Sequence, residues 1–197
     1  MNIRLLTVLM ILVLAVTNVG AADDKPTTQE NVILALMLRQ SHPDGGYFVV
    51  SPEARISDID AGDSKGVNQS KKYIVEHLQI SGLDIAKLVN RLFERNLKPV
   101  RQSIRSSRED GYIVDYDGKY GKYFEKGGGG WEKWYKENPK AHGFTMLSLP
   151  IYDLKNGVVL IYKGVQAQEL MGAGWIILYK YENGLLRELK KVNLWVS

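Results

Sequence analysis

The residues of this 197-residue chain whose types could do chemistry are few: three closely spaced aspartates, three histidines, a run of four glycines and a short tryptophan-rich segment. Asp58, Asp60 and Asp63 come nearest to a cation loop, because hard divalent cations collect several carboxylate oxygens. The spacing fails the calcium-loop pattern at three positions. Gly62 stands where a third oxygen ligand belongs, Asp63 where the glycine belongs, and Gln69 where a bidentate glutamate belongs. The triplet therefore reads as a solvated acidic loop, and no metal is expected. His42, His77 and His142 have no histidine partner at metal-ligand spacing. The chain has no Cys and no Gly-x-Ser-x-Gly elbow, so no triad nucleophile is offered. His142 with Glu132 or Glu137 could form an acid and base pair, but nothing in the spacing singles them out, and no residue is assigned as catalytic.

Gly127 to Gly130 precede a helical segment and so resemble a phosphate cradle, in which backbone amides at a helix start attract an anion. A phosphate loop also needs a Lys-Ser or Lys-Thr pair, whereas Trp131-Glu132 follows here. The glycines are expected to form a hinge or a close backbone approach, and no cofactor is implied. Trp131, Trp134 and Tyr135 fall at i, i+3 and i+4 and share one helix face. Such a stripe anchors a core by default, since each ring buries a large apolar area. Its alternative use is a stacking surface for sugars or a lipid-facing patch. Trp131, Trp134, Tyr135 and His142 are the expected binding residues. Arg101, Arg105 and Arg108 read as a solvated connector that could also meet an anionic partner.

The elements that must position these groups follow from caps, turns and periodicity. Thr27 and Glu30 have the form of a capping box, opening a helix whose 32–38 stretch is almost wholly apolar and which stops near His42-Pro43. A short strand is expected at 47–50, a surface loop at 57–66, and helices at 69–78 and 83–95. In the second of these helices Ile85, Leu88, Val89 and Leu92 make one apolar face. The Asp117-Gly118 dipeptide predicts a hairpin joining 112–116 to 119–124. A helix over 131–137 ends at Asn138-Pro139. Strands at 143–149, 158–163, 174–181 and 185–196 have short connections and predict an antiparallel meander, with a bulge near Lys190-Lys191 where the alternation slips.

Residues 1–21 have the form of a signal peptide, with Arg4, an apolar core too short to span a bilayer, and small residues before a cut after Ala21. The remaining 176 residues, 22–197, are long enough for a single domain and carry 25 basic against 22 acidic side chains. So mild an excess does not mark a nucleic-acid binder. The absence of Cys in an exported chain points to a bacterial envelope, periplasmic or secreted.

From Gly130 to Ser197 a pattern is visible. It comprises Trp131-Glu132-Lys133-Trp134-Tyr135, Asn138-Pro139, Gly143-Phe144, Leu147-Ser148, Val159-Leu160-Ile161-Tyr162, Gly172-Ala173-Gly174 and Leu194-Trp195-Val196-Ser197. This third of the chain resembles a family of exported bacterial proteins of unknown function, in which a tryptophan helix leads into a β-meander ending in Trp-x-Ser. Members of that family carry repeated Cys-Gly pairs in the loop that here holds Gln166, Gln168 and Glu169, so no disulfide role carries over. The resemblance implies location and sheet topology but no activity. The expectation is an α+β protein with N-terminal helices packed on a curved antiparallel sheet and a C-terminal four-strand meander. As a function class it reads as a non-catalytic module binding an envelope component or a protein partner, with no transmembrane segment after signal cleavage. The alternatives are a hydrolase of an envelope polymer, or an inhibitor-like or immunity-like protein that pairs through a strand edge.

Overall fold

The computed structural model describes residues 25–41, 45–56 and 62–197. The expected signal segment, His42, Asp58 and Asp60 lie outside these residues. In chain order the elements are α1 (Thr28–Gln40), β1 (Tyr47–Val50), β2 (Glu53–Ala54), α2 (Ser64–Leu78), α3 (Ile85–Arg95), β3 (Val100–Arg101) and β4 (Tyr112–Val114). A 3₁₀ turn (Gly121–Phe124) and α4 (Gly130–Glu137) follow, then β5 (Ala141–Leu147), β6 (Ile151–Asp153), β7 (Val158–Gln168), β8 (Met171–Glu182) and β9 (Leu185–Val196). No helix among the described residues is long and apolar enough to cross a membrane.

The capping box is present. Thr27 Oγ1 accepts from the Glu30 amide at 3.2 Å, and a Glu30 carboxylate oxygen accepts from the Thr27 amide at 2.6 Å. The same carboxylate is bound by Arg95 at 2.9 Å, which ties the start of α1 to the end of α3. The α2 helix begins earlier than its apolar pattern suggests. Asp63 caps it through the Lys65 amide at 3.1 Å, so residues 64–66, expected in the loop, are helical. At the end of α3, Asn96 donates to Leu92 and Leu149 carbonyls and accepts from the Leu149 amide at 2.7 Å, joining the helix to the strand region.

The sheet has seven strands and runs β4-β1-β5-β7-β8-β9, with β6 also paired to β7. The four-strand antiparallel run β5-β7-β8-β9 matches the expected meander. The sheet as a whole is mixed, because β1 lies parallel to both β4 and β5. That corrects the expected hairpin at Asp117-Gly118. Both oxygens of the Asp115 carboxylate accept backbone amides, from Tyr120 at 3.0 Å and Gly121 at 2.8 Å. The chain therefore winds into the 3₁₀ turn, and residues 112–114 find their partner in β1. The bulge in β9 falls at Leu189, one residue before the expected site, since Leu178 pairs with Lys190 and Tyr179 with Glu188. A second bulge falls at Leu194.

The central strand β7 is buried on both sides from Val158 to Tyr162. Val159 and Ile161 share a core with Ile33, Leu34, Met37 and Leu38 of α1, whereas Leu160 and Tyr162 share one with Ile74 of α2 and Leu88, Val89 and Leu92 of α3. Side chains alternate faces along a strand, so helices on both faces require an unbroken apolar run, and residues 158–162 supply it. Farther along β7, Tyr162 accepts a hydrogen bond from Trp195 Nε1 at 3.0 Å. The two rings lie over Gly164 and Gly174, where a Cβ would stand 2.4 Å from the Tyr162 hydroxyl and 2.1 Å from the Trp195 indole nitrogen.

Candidate functional site

The tryptophan helix is built by its flanks. Gly129 caps α4 with a φ of 95° and Gly130 opens it at 61°, conformations that favour glycine. Gly128 lies so close to the preceding turn that a Cβ would meet the Lys122 carbonyl oxygen at 2.2 Å, which makes this glycine a close backbone approach. At the other end, the backbone amide and side-chain amide of Asn138 both donate to the Trp134 carbonyl, at 2.8 and 3.1 Å, and Pro139 follows. The 3₁₀ turn places Tyr120, Tyr123 and Phe124 around this helix.

The three aromatic residues of α4 divide between two roles. Trp134 is fully buried, ringed by Tyr120, Tyr123, Phe124 and Phe144 at centroid distances of 5.5, 5.6, 5.3 and 6.3 Å. Its indole nitrogen has no hydrogen-bond acceptor among the described residues. Trp134 is thus the anchor of a third core, with Tyr47, Val49 and Ala141. Trp131 and Tyr135 are only partly covered and stack on each other at 5.9 Å with their planes 25° apart.

These two rings line a groove of about 400 Å³ together with Glu132, Gln168, Glu169 and Leu170. The β7–β8 turn closes it. Tyr135 donates to the Ala167 carbonyl at 2.6 Å, and Gln166 bonds the Gln168 and Glu169 carbonyls, which fixes the turn against α4. Burial raises the Tyr135 phenol above its usual range, so it is a neutral donor at physiological pH. The side chains of Glu132, Gln168 and Glu169 make no hydrogen bond or ion pair among the described residues, and Leu170 at the turn is 86% exposed. The groove therefore presents an aromatic wall, an apolar tip and unspent polar groups. That is a suitable lining for a ligand with apolar faces and hydroxyl edges. It holds no grouping of His, Cys, Asp and Glu that could bind a metal among the described residues.

His142 is elsewhere. Tyr47 pairs with Ala141 and Val49 with Phe144, so one extra residue is taken up at Gly143, whose φ is 105°. His142 then lies beside Phe48 at 6.2 Å, on the sheet face opposite Tyr47, Val49 and Trp134. Glu132 and His142 are thus on opposite sides of the sheet and form no acid and base pair. His77 Nδ1 donates to the Tyr73 carbonyl, 2.8 Å away, and its ring lies tilted against the Tyr73 ring at 4.2 Å. Asp63 serves as the cap of α2.

The arginine connector borders a groove of about 840 Å³ between α1 and residues 103–112. Most of its cations are already engaged. Arg39 pairs with Asp110 at 3.0 Å, Arg108 lies over the Tyr47 ring at 5.1 Å, and Arg101 lies over Tyr116 at 5.3 Å while donating to its carbonyl. Buried Tyr47 is pushed up to about 12, chiefly by desolvation and then by its hydrogen bond to Tyr120.

Gln168, Glu169 and Leu170 are site residues that sequence reasoning passed over. The available signal was a lone leucine in an otherwise polar turn. No family model, no curated protein and no solved structure matches the chain.

Proposed function

We propose that the protein is a non-catalytic binding module of the bacterial envelope that takes a glycan segment in the groove between α4 and the β7–β8 turn. The observation that carries this reading is the partly exposed Trp131 and Tyr135 pair set among the unspent carboxylates and amide of Glu132, Glu169 and Gln168. A pyranose offers an apolar C–H face and hydroxyls around its rim. The face suits an aromatic wall, where weak C–H contacts add up, and the hydroxyls suit carboxylate and amide acceptors. A periplasmic or secreted location agrees with the signal-like residues 1–21, and an envelope polymer would then be within reach. The register shifts in β5, β7 and β9 favour the expected curvature of the sheet.

Strand-edge pairing, as an inhibitor would use, has less support. The β9 edge carries Lys190 and Lys191 and two bulges, devices that discourage strand addition. A hydrolase reading loses its Glu132 and His142 pair, since the sheet separates them.

Titration of peptidoglycan fragments and neutral oligosaccharides into the protein, followed by intrinsic tryptophan fluorescence, tests the proposal. A saturable shift is expected, weakened at least tenfold by Trp131→Ala and several-fold by Glu169→Gln, with no release of reducing ends on long incubation. A flat response across the panel would leave Trp131 and Tyr135 only a packing role, and sugar release would restore the hydrolase reading.

A further inference from the structure

On the α1 side of the sheet, β7 runs past the helix-covered core and carries Lys163, which the register sets between Leu147 of β5 and Trp175 of β8. Its ammonium stands 5.3 Å from the centroid of the Phe48 ring, the same ring that His142 meets at 6.2 Å. Lys191 of β9 pairs with Ile177, so it lies on this face as well, diagonally across β8 from Lys163. Lys163 is half-buried, yet it has neither a carboxylate partner nor a hydrogen bond among the described residues. Glu188, the carboxylate joined to this group of cations, is 3.8 Å from Lys191. Desolvation, with repulsion from Lys191, brings the Lys163 amine down to about 8. Two residues along β5 from Leu147, the fully buried Thr145 hydroxyl also has no partner among the described residues.

Buried charges in proteins are normally paired, because removing an ammonium from water costs more than a ring face returns. Here the Lys163 ammonium and the exposed His142 ring both meet Phe48, and Glu188 pairs with Lys191 while no carboxylate among the described residues pairs with Lys163. We propose that this patch is a binding site for a small oxyanion, a carboxylate or phosphate group, held by the Lys163 ammonium. Lys191 and His142 stand at its rim, and Phe48 and Trp175 form its walls. The anion supplies the charge that the fold omits, and both lysines and the imidazole N–H can donate to its oxygens. The patch lies on the sheet face opposite the Trp131 groove, so it stands or falls independently of glycan binding.

The test is a titration of the full chain with inorganic phosphate and, separately, with sodium acetate, each against sodium chloride at matched ionic strength. Thermal unfolding and the NMR shifts of the Lys163 side chain are the readouts. A saturable rise in Tm with a shift at Lys163 is expected for at least one anion, and the anion that acts identifies the headgroup. Lys163→Met should weaken the response at least tenfold and Lys191→Met several-fold. Lys163→Arg should keep it, and Trp131→Ala should leave it unchanged. The proposal is overturned if chloride acts equally well, or if the Lys163→Met or Lys191→Met protein titrates like the wild type.

Discussion

Replacing Lys163 by methionine should stabilise the protein at pH 7, and by progressively less as the pH rises. In the folded chain the amine loses its proton near pH 8, whereas in the unfolded chain it keeps it to about 10.5. Between these values the unfolded state binds more protons, so wild-type stability climbs with pH; below about 8 the full penalty of burying the ammonium is present, and above about 10.5 it is gone. At about 1.4 kcal/mol per pH unit of separation, the gap corresponds to about 3 kcal/mol. The Met variant forfeits the contact of the ammonium with Phe48, worth about 0.5–1 kcal/mol, and keeps an apolar stem of similar length. The expected gain is therefore about 2 kcal/mol at pH 7, falling towards zero or slightly below by pH 10.5. Urea unfolding of both proteins at pH 6, 7, 8, 9 and 10, in chloride buffers free of phosphate and carboxylates, measures it. Comparing the two proteins at each pH cancels the other titrating groups, including Tyr47 and Tyr179, which burial raises to about 12. A difference that stays constant across the series, or a Met variant less stable at pH 7, would refute the reasoning.

Trp134→Ala should cost about 3–5 kcal/mol in urea unfolding, since it empties the centre of the aromatic core, whereas Trp131→Ala should cost far less and act mainly on ligand affinity. Glu30→Ala should destabilise by about 3–5 kcal/mol because it leaves Arg95, whose side chain is 13% exposed, without its carboxylate; Arg95→Leu in the same background should recover part of that loss. Gly128→Ala drives a methyl against the Lys122 and Tyr123 carbonyls and should cost about 1–3 kcal/mol, with loss of the near-ultraviolet signal of the Trp134 cluster. Gly174→Ala should displace Trp195 from Tyr162, read as a change in the indole N–H resonance of Trp195.

What could be read from the chain was what short-range chemistry decides. The Thr27 and Glu30 box, the α3 stripe and the α4 helix all depend on residues within four positions of one another, and all are present. The four meander strands were legible because Asn156-Gly157 and Asn183-Gly184 mark their turns, and Gly157, Asn183 and Gly184 have the positive φ values such turns need. The Asp117-Gly118 turn also forms, with Gly118 at a φ of 68°, but Asp115 captures the Tyr120 and Gly121 amides and the chain coils instead of returning. Parallel pairing of β1 with β4 and β5 joins residues tens of positions apart and leaves no local mark. For the site, the i, i+3, i+4 rule brought Trp131, Trp134 and Tyr135 together but could not say which ring faces inward. His142 lies on the other face because it follows Ala141 in the strand, and the bulge at Gly143 then returns Phe144 to the Trp134 side. Lys163 was invisible, as its significance lies in what three neighbouring strands fail to provide.

The doubly covered strand β7 has a kinetic consequence. The apolar faces of α1, α2 and α3 all close on residues 158–162 and on their β8 partners, so none of these three helices can bury its apolar face fully before those strands are in place. Stability arrives only once the long β7-β8-β9 ribbon forms and recruits segments more than a hundred residues upstream. Contacts of such wide sequence separation fold slowly. Loss of the final strand should therefore expose the apolar faces of β8 and of the helices packed on it and abolish cooperative folding of those layers.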